Sequence, residues 1–440
     1  MSAEPAGVNP MAASAKFPIR WFRPRIDSAR QAHPLSRVGI TPAPSARLLI
    51  LQPTPFCNID CDYCYLPDRN ATQRMSMETV RLAAQRLLDD GLAGAELTVV
   101  WHAGEPLAVP VDYYRQAFEI VHRVLGPDSR VTHAIQTNAT LIDPTWCELF
   151  KQHAVRIGVS IDGPAELHDL HRRTRRGRGT HARVMQGLQQ LREHDIAFHA
   201  IAVVTRDTLA HADAFFDFFL DNGIHDVGCN FDEAEGKHAH SSLVGRETAH
   251  AAFLQRLLQR SIVSDGRVVV RELASAWQLV AQPLPQYAWR GRHWPDNAQV
   301  MPLALISVTW SGDFSTFSPE LLGHRSDEFG DFILGNVTDG SYVEALQSQH
   351  MQRLWSAVSA GVEACERQCS YFAYCGGGAP ANKWFENGDL ASTETLYCRS
   401  MIQRPFDIVL DRLERERTAA AHIEGAYATG VCNLPGPEMA

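Results

Sequence analysis

Six short β-rich runs alternate with segments whose apolar residues recur at helical spacing, and no other feature restricts the fold of this chain so tightly. The runs are Leu48 to Gln52, Leu97 to Trp101, Val131 to Gln136, Val155 to Ile161, Phe198 to Thr205 and Val227 to Phe231. Met77 to Leu88, Tyr113 to Val124, Val184 to Leu191 and Ala212 to Phe219 carry the helical pattern between them. Strands that alternate with helices pair in parallel through right-handed crossovers. Six units are too few to close an eight-fold barrel, so the expected fold is α/β, a partial, open (β/α)6 barrel ending near residue 240.

Helical spacing resumes at Glu247 to Leu258 and around Glu272 to Leu279, followed by a Pro- and aromatic-rich connection, Pro283 to Pro302. A hairpin-like stretch then runs from Ile306 to Phe317, turning at Ser311, Gly312 and Asp313. The expected organisation is a flexible arm over 1–45, the barrel over 46–240, a helical linker over 241–305, an auxiliary domain over 306–412 and a frayed tail over 413–440. Hydrophobic residues at 45% and charged residues at 21% exclude wholesale disorder, collagen and coiled coil. The net charge of −9 argues against nucleic acid as the main partner. No apolar run reaches the ~20 residues that span a bilayer, and the first residues lack a signal-peptide pattern. A cytoplasmic protein without a membrane partner is therefore expected.

In a reducing compartment clustered thiols read as metal ligands or redox groups rather than as a disulfide framework. Two such clusters stand out among the ten cysteines. Cys57, Cys61 and Cys64 lie at C-x3-C-x2-C directly after the first strand, at the end of a barrel where chemistry is placed. Three thiolates on one short loop leave a tetrahedral zinc site one ligand short, so a zinc knuckle would need a fourth such as His102. The same three can hold an iron-sulfur cubane with one iron free to bind something else.

With Tyr63 before its last cysteine, this loop resembles the signature of radical S-adenosyl-L-methionine (SAM) enzymes. Later strand ends resemble that family in order. Trp101-His102-Ala103-Gly104-Glu105-Pro106 is similar to its Gly-Gly-Glu-Pro motif, with Ala103 in place of the first glycine. The resemblance implies that Gly104, Glu105 and Pro106 hold the methionine ammonium of the cofactor. Gln136-Thr137-Asn138 and Ser160-Ile161-Asp162-Gly163 resemble segments that hold its ribose and carboxylate, which points to Asn138, Ser160 and Asp162. The stretch from His168 to Arg172 and on to Gly179 and Thr180 resembles a further family element. Its arginines form either a solvated basic loop or a lip that holds the cofactor carboxylate, through Arg172, or attracts an acidic leader peptide. Without the family, Gly104 to Pro106 also reads as a turn, Asn138 as a helix cap and Asp162-Gly163 as a loop.

Cys365, Cys369, Cys375 and Cys398 supply four thiols, enough to close a zinc or iron-sulfur site completely. The glycines after Cys375 allow backbone amides to approach sulfur. The group resembles the second half of a SPASM domain, the auxiliary-cluster module of radical peptide maturases. A full module ligates two clusters. Here the hairpin from Thr309 to Gly323 has no cysteine and Ala379 stands where a later ligand belongs, so one auxiliary [4Fe-4S] cluster is expected beside the [4Fe-4S] cluster of the barrel.

Phe317-Ser-Pro-Glu320-Leu, Gly335-Asn336-Val337, Cys375-Gly-Gly-Gly-Ala-Pro380, Asn382-Lys383 and Thr393 to Cys398 together resemble the maturases of glycine-rich-repeat precursor peptides. Those enzymes link an aromatic ring carbon to a nearby side-chain β-carbon, forming a three-residue cyclophane. The resemblance implies a ribosomal precursor peptide as substrate and a small electron-donor protein such as flavodoxin or ferredoxin. Glu320 is a candidate base for the proton released, with Asp232, Glu233 and Glu235 as alternatives and a surface carboxylate as the plain reading. Rival readings are a thioether-forming maturase, a formylglycine-forming sulfatase maturase, and a non-catalytic metal-binding module that presents peptides.

Overall fold

The computed structural model describes residues 40–428 except 283, 290 and 291. The expected arm lies mostly outside the described residues. Its last part is packed: Ile40 and Ala43 are buried, and Ala43 N–H donates to Pro302 O at 2.8 Å.

Six parallel strands follow one another in sequence order, Leu48–Leu51, Glu96–Trp101, Arg130–Thr137, Arg156–Ser160, Phe198–Val204 and Asp226–Phe231. One face of each strand is buried; the other is buried in part and, along Arg130–Thr137 and Phe198–Val204, half-buried. Helices Met77–Asp89, Val111–Leu125, Pro144–Gln152, His181–Glu193 and Ala212–Asp221 return the chain between them. Local signals set their starts. Ser76 accepts from Thr79 N–H at 3.0 Å and Asp143 from Trp146 N–H at 3.1 Å. Each strand leads into the next helix at the same rim, which puts all six loops on one side of the sheet.

The sheet does not stop at six strands. Val269–Val270 pairs beside the sixth, and Leu305–Val308 runs parallel to the first in the register Leu48 to Leu305 through Leu51 to Val308. Asp313–Thr316 and Gly335–Asn336 continue that edge antiparallel. The hairpin expected to open the auxiliary domain is therefore hydrogen-bonded into the barrel sheet. Helix Glu247–Val263 of the expected linker packs on the barrel, with Phe253 5.4 Å from Phe215.

The expected tail over 413–440 begins inside a helix. Helix Arg404–Ala428 continues through it, because Phe406 and Val409 are buried in a cluster with Ala276, and ion pairs Arg412–Glu416 and Arg415–Asp411 bridge successive turns. Residues 429–440 lie outside the described residues. Among the described residues no helix is long and apolar enough to cross a membrane.

Candidate active site

The loop after the first strand is held from three directions. Glu105 N–H donates to Phe56 O at 2.7 Å, and Cys57 N–H donates to Arg69 O at 3.1 Å. Residues Ile59–Cys61 pair antiparallel with Arg172–Thr174, Cys61 opposite Arg172. The neighbouring Arg175 serves the same anchoring. It donates to the carbonyl of Cys57 at 2.9 Å through Nε, to the carbonyl of Arg69 and to the side-chain oxygen of Asn70. Arg173, Arg176, Arg178 and Arg183 remain exposed.

Ala103 and Gly104, after the second strand, both have positive φ, 71° and 57°. A Cβ on Gly104 would lie 2.4 Å from Phe56 O and 2.6 Å from Thr54 O. Only glycine lets the second loop pass this close to the cysteine loop. Ala103 adopts a left-handed conformation that favours the glycine it replaces.

Glu105 is 1% exposed and ties two strand ends together. Its Oε1 accepts from Leu107 N–H at 2.9 Å and Thr137 Oγ1 at 2.6 Å, and its Oε2 from Asn138 N–H at 2.8 Å. Burial outweighs these donors and pushes its carboxyl up to about 7. Asn138 reaches the cysteine loop through Nδ2, 2.8 Å from Asn58 Oδ1 and 3.9 Å from Cys57 Sγ. Ser160 Oγ accepts from Gln136 Nε2 at 3.0 Å.

Asp162 and Arg172, two residues expected at the cofactor, are bound to each other. Arg172 Nε donates to Asp162 Oδ2 at 2.9 Å, with both side chains under a tenth exposed. Tyr63 Oη donates to the same oxygen at 2.5 Å, and Val203 N–H to Oδ1 at 2.9 Å. Arg172 Nη1 also lies 4.0 Å from Cys61 Sγ. Burial alone would raise the Asp162 carboxyl, but Arg172, His168 and Tyr63 hold it below the usual range. His168 is buried, with Nε2 2.9 Å from Thr180 Oγ1, so the His168 to Thr180 segment fixes the strand that carries Arg172.

These groups surround a cavity of about 520 Å³. Cys57, Cys61, Cys64, Gly104, Glu105, Asn138, Ser160, Arg172 and Glu320 line it, whereas Pro106 and Asp162 lie outside its lining. His102 lines it as a neutral imidazole, burial having lowered it to about 4. Burial also pushes the Cys57 and Cys61 thiols up to about 12, so a metal group must displace their protons on binding. Three thiols facing an open cavity fit a cubane with one accessible iron, and the Tyr65 hydroxyl, buried in the same wall and without a hydrogen-bond partner among the described residues, is free for a ligand. Among the described residues no three His, Cys, Asp or Glu side chains converge on a single ion-sized point.

The opposite wall is acidic. Glu233, Glu235 and Glu320 face the cavity, and burial first, then their mutual repulsion, raises Glu233 to about 8 and Glu235 well above the ordinary carboxylate range. Glu320 is raised by burial and bonds the Ser318 hydroxyl. Asp232 lines the cavity too, with its carboxylate engaged by His238, Nε2 to Oδ1 2.8 Å. Arg271, Gln299, Tyr397 and Met401 also line the cavity; Tyr397 falls in the Thr393 to Cys398 motif, and no sequence signal marks the other three, which come from elements far along the chain that the barrel pattern does not include.

The second thiol group lies outside this cavity lining, around the end of helix Gln349–Gln368. Gly376, Gly377 and Gly378 all have positive φ, and the backbone amides of Gly377 and Gly378 draw the Cys375 thiol down against its burial. Burial raises the Cys375 thiol to about 11.

Residues 51–219 match the model of the radical SAM superfamily. The uncharacterized protein sll1766 of Synechocystis sp. is 41% identical over 387 residues, covering 86% of this chain and 94% of that protein. The serine-type anaerobic sulfatase-maturating enzyme of Klebsiella aerogenes is 33% identical over 196 residues, 44% of this chain and 48% of its own, so the match spans about half of that relative. Among solved structures, anSMEcpe with bound AdoMet shares the fold at a TM-score of 0.65 and 20% identity, covering 84% of this chain and 98% of that one. Streptococcus suis SuiB bound to precursor peptide SuiA aligns at a TM-score of 0.54 and 14% identity, over 81% of this chain and 76% of its own.

Proposed function

Because the chain belongs to the radical SAM superfamily, we propose that it is a peptide maturase that closes a three-residue cyclophane in a ribosomal precursor peptide. The observation that carries a radical reading is the open cavity lined on one side by three thiols with Glu105 and Asn138. Cys57, Cys61 and Cys64 would hold a [4Fe-4S] cluster there, and with SAM bound it would supply the radical chemistry that removes a hydrogen atom from a peptide carbon. Such a C–H bond has no proton acidic enough for a carboxylate or histidine, so the protein's own task is placement. Gly104, Glu105 and Pro106 form the ammonium end of the cofactor site, Glu105 through its carboxylate and the other two by shaping the loop. Asn138 and Ser160 line its sugar and carboxylate side. Asp162 and Arg172 act by holding Tyr63 and Cys61.

Cyclophane closure replaces one aromatic C–H and one β-C–H by a C–C bond. With SAM bound, one hydrogen atom would leave with the cofactor's adenosyl group, and one electron and one proton would remain to be removed. Glu320 takes the proton, with Glu233 and Glu235 beside it, since burial raises all three carboxyls and makes each a stronger base than a solvent-exposed carboxylate. Cys365, Cys369, Cys375 and Cys398 hold a single auxiliary [4Fe-4S] cluster, a one-electron acceptor. Peptide-bound SuiB and anSMEcpe with bound Cp18Cys peptide, which share the fold, support a peptide substrate. An acidic carrier such as flavodoxin or ferredoxin is the electron source proposed for the barrel cluster.

A second reading, formylglycine formation, is favoured by the Klebsiella relative. The cysteine-free hairpin Asp313–Thr316 and Ala379 count against it, since the resemblance places a second auxiliary cluster there. Mass alone does not separate the two, because oxidising a serine to an aldehyde also removes two hydrogens. Co-expression with a neighbouring short precursor, followed by tandem mass spectrometry and hydrazide labelling, does. A two-hydrogen loss spanning an aromatic residue and a residue two positions later, with no hydrazide adduct, supports the cyclophane. A hydrazide-reactive serine site overturns it in favour of the aldehyde, and a peptide left unmodified with SAM consumption absent overturns both.

A further inference from the structure

Lys383 has almost no contact with water, at 1% exposure, yet no carboxylate pairs with it among the described residues. Its Nζ lies instead 3.4 Å from Cys365 Sγ. The Cys398 thiol is also within its electrostatic reach, and a Cβ on Gly378 would touch both side chains, 3.5 Å from Cys398 Sγ and 3.8 Å from Lys383 Cε. An ammonium removed from water without a counter-charge costs several kcal/mol. Cys365 beside it and Cys398 within its reach supply that charge once they are thiolates on a metal group.

We propose that Lys383 sets the reduction potential of the group held by Cys365, Cys369, Cys375 and Cys398, its buried ammonium offsetting the negative charge added when that group takes up one electron. The proposal rests on reading the four cysteines as the ligands of an auxiliary cluster. A fixed positive charge against a ligand sulfur favours the reduced form, and low solvent exposure leaves its field unscreened. The Gly377 and Gly378 amides act in the same sense on Cys375, but as dipoles rather than as a full charge. Lys383 touches no substrate and is a positioning residue in this scheme.

The test uses the full-length chain with Cys57, Cys61 and Cys64 replaced by Ala, reconstituted anaerobically, so that bound iron belongs to the second group. Iron and sulfide content and a redox titration followed by electron paramagnetic resonance are read on this parent and on Lys383→Met, Lys383→Gln and Lys383→Arg. The two neutral variants should bind an electron about tenfold less tightly, about 59 mV more negative for a one-electron couple. Lys383→Arg should keep the parental midpoint. Should the Met variant fail to fold, Lys383→Gln retains a donor at the thiol and reads the same quantity. An unchanged midpoint in the neutral variants at full iron content overturns the role of Lys383 while leaving the cluster in place. A parent that binds no iron removes the cluster reading and the proposal with it.

Discussion

Replacing Asp162 by Asn tests whether the cysteine loop depends on a buried charge pair rather than on the loop's own residues. The introduced amide would keep an acceptor for Val203 N–H but would turn an NH2 group toward the Arg172 Nε that now donates at 2.9 Å. Arg172 would then stay buried with no counter-charge and Tyr63 would lose its acceptor. Removing one partner of a buried pair costs about 3–5 kcal/mol. The acceptor that survives is worth about 1 kcal/mol. The expected loss is therefore about 3 kcal/mol at neutral pH, read as a lower urea midpoint with an unchanged slope. Arg172→Met in the same background should recover part of it, giving a coupling of about 2 kcal/mol in a double-mutant cycle. Asp162 is held below the usual carboxylate range, so this stability is present above about pH 4 and is lost as pH falls through the lowered value. A loss below about 1 kcal/mol, or a penalty that persists unchanged in acid, refutes the argument.

Gly104→Ala should cost over about 2 kcal/mol and lower iron uptake, because the new Cβ meets backbone oxygens at 2.4 and 2.6 Å, whereas Ala103→Gly should stabilise the chain by about 1 kcal/mol; thermal and urea unfolding read both. Replacing Cys57, Cys61 and Cys64 together by Ala should abolish 5′-deoxyadenosine production and halve the iron from about eight to about four atoms per chain; continued production dismisses the loop as the cluster site. Burial holds Glu105 near 7, so SAM affinity should rise as pH increases through neutrality and the carboxylate forms; calorimetry on Glu105→Gln should show at least about tenfold weaker binding without that slope. Glu320→Gln should preserve 5′-deoxyadenosine formation but lower crosslinked product by about a hundredfold, and product formed at the wild-type rate would pass the base role to Glu233 or Glu235.

The six barrel strands were legible because each carries a short β-rich run with at least one buried apolar face and alternates with a helical pattern, and each of the six is found within a few residues of its expected place. Short pairings were not. Ile59–Cys61 and Arg172–Thr174 are three residues each and carry charged residues, so nothing in their pattern marks them as strands. Leu305–Val308 reads as one arm of a local hairpin, and its second partner, Leu48–Leu51, lies near the other end of the described chain. The helix from Arg404 resembled a tail because its exposed face is crowded with Arg and Glu, the residues that bridge its turns. At the site, residue types were legible and partners were not. Glu105 was expected to face a ligand ammonium, and of the three donors it also satisfies, Leu107 is local while Thr137 and Asn138 come from a loop that meets it only in three dimensions. Lys383 stood in a recognisable Asn-Lys pair, but its burial against sulfur has no signature in the sequence.

The strand that delivers the chain to Cys57 has neighbours on both sides, one drawn from the second barrel unit and one from beyond residue 300. A shortened chain ending at the conventional close of the barrel would leave Leu48–Leu51 with bare amides and carbonyls along one flank, an invitation to pair with other copies. The catalytic half cannot be excised from the half that follows it; attempts to express it by itself should give aggregates, and inherited change in either half is felt by the other through this shared seam.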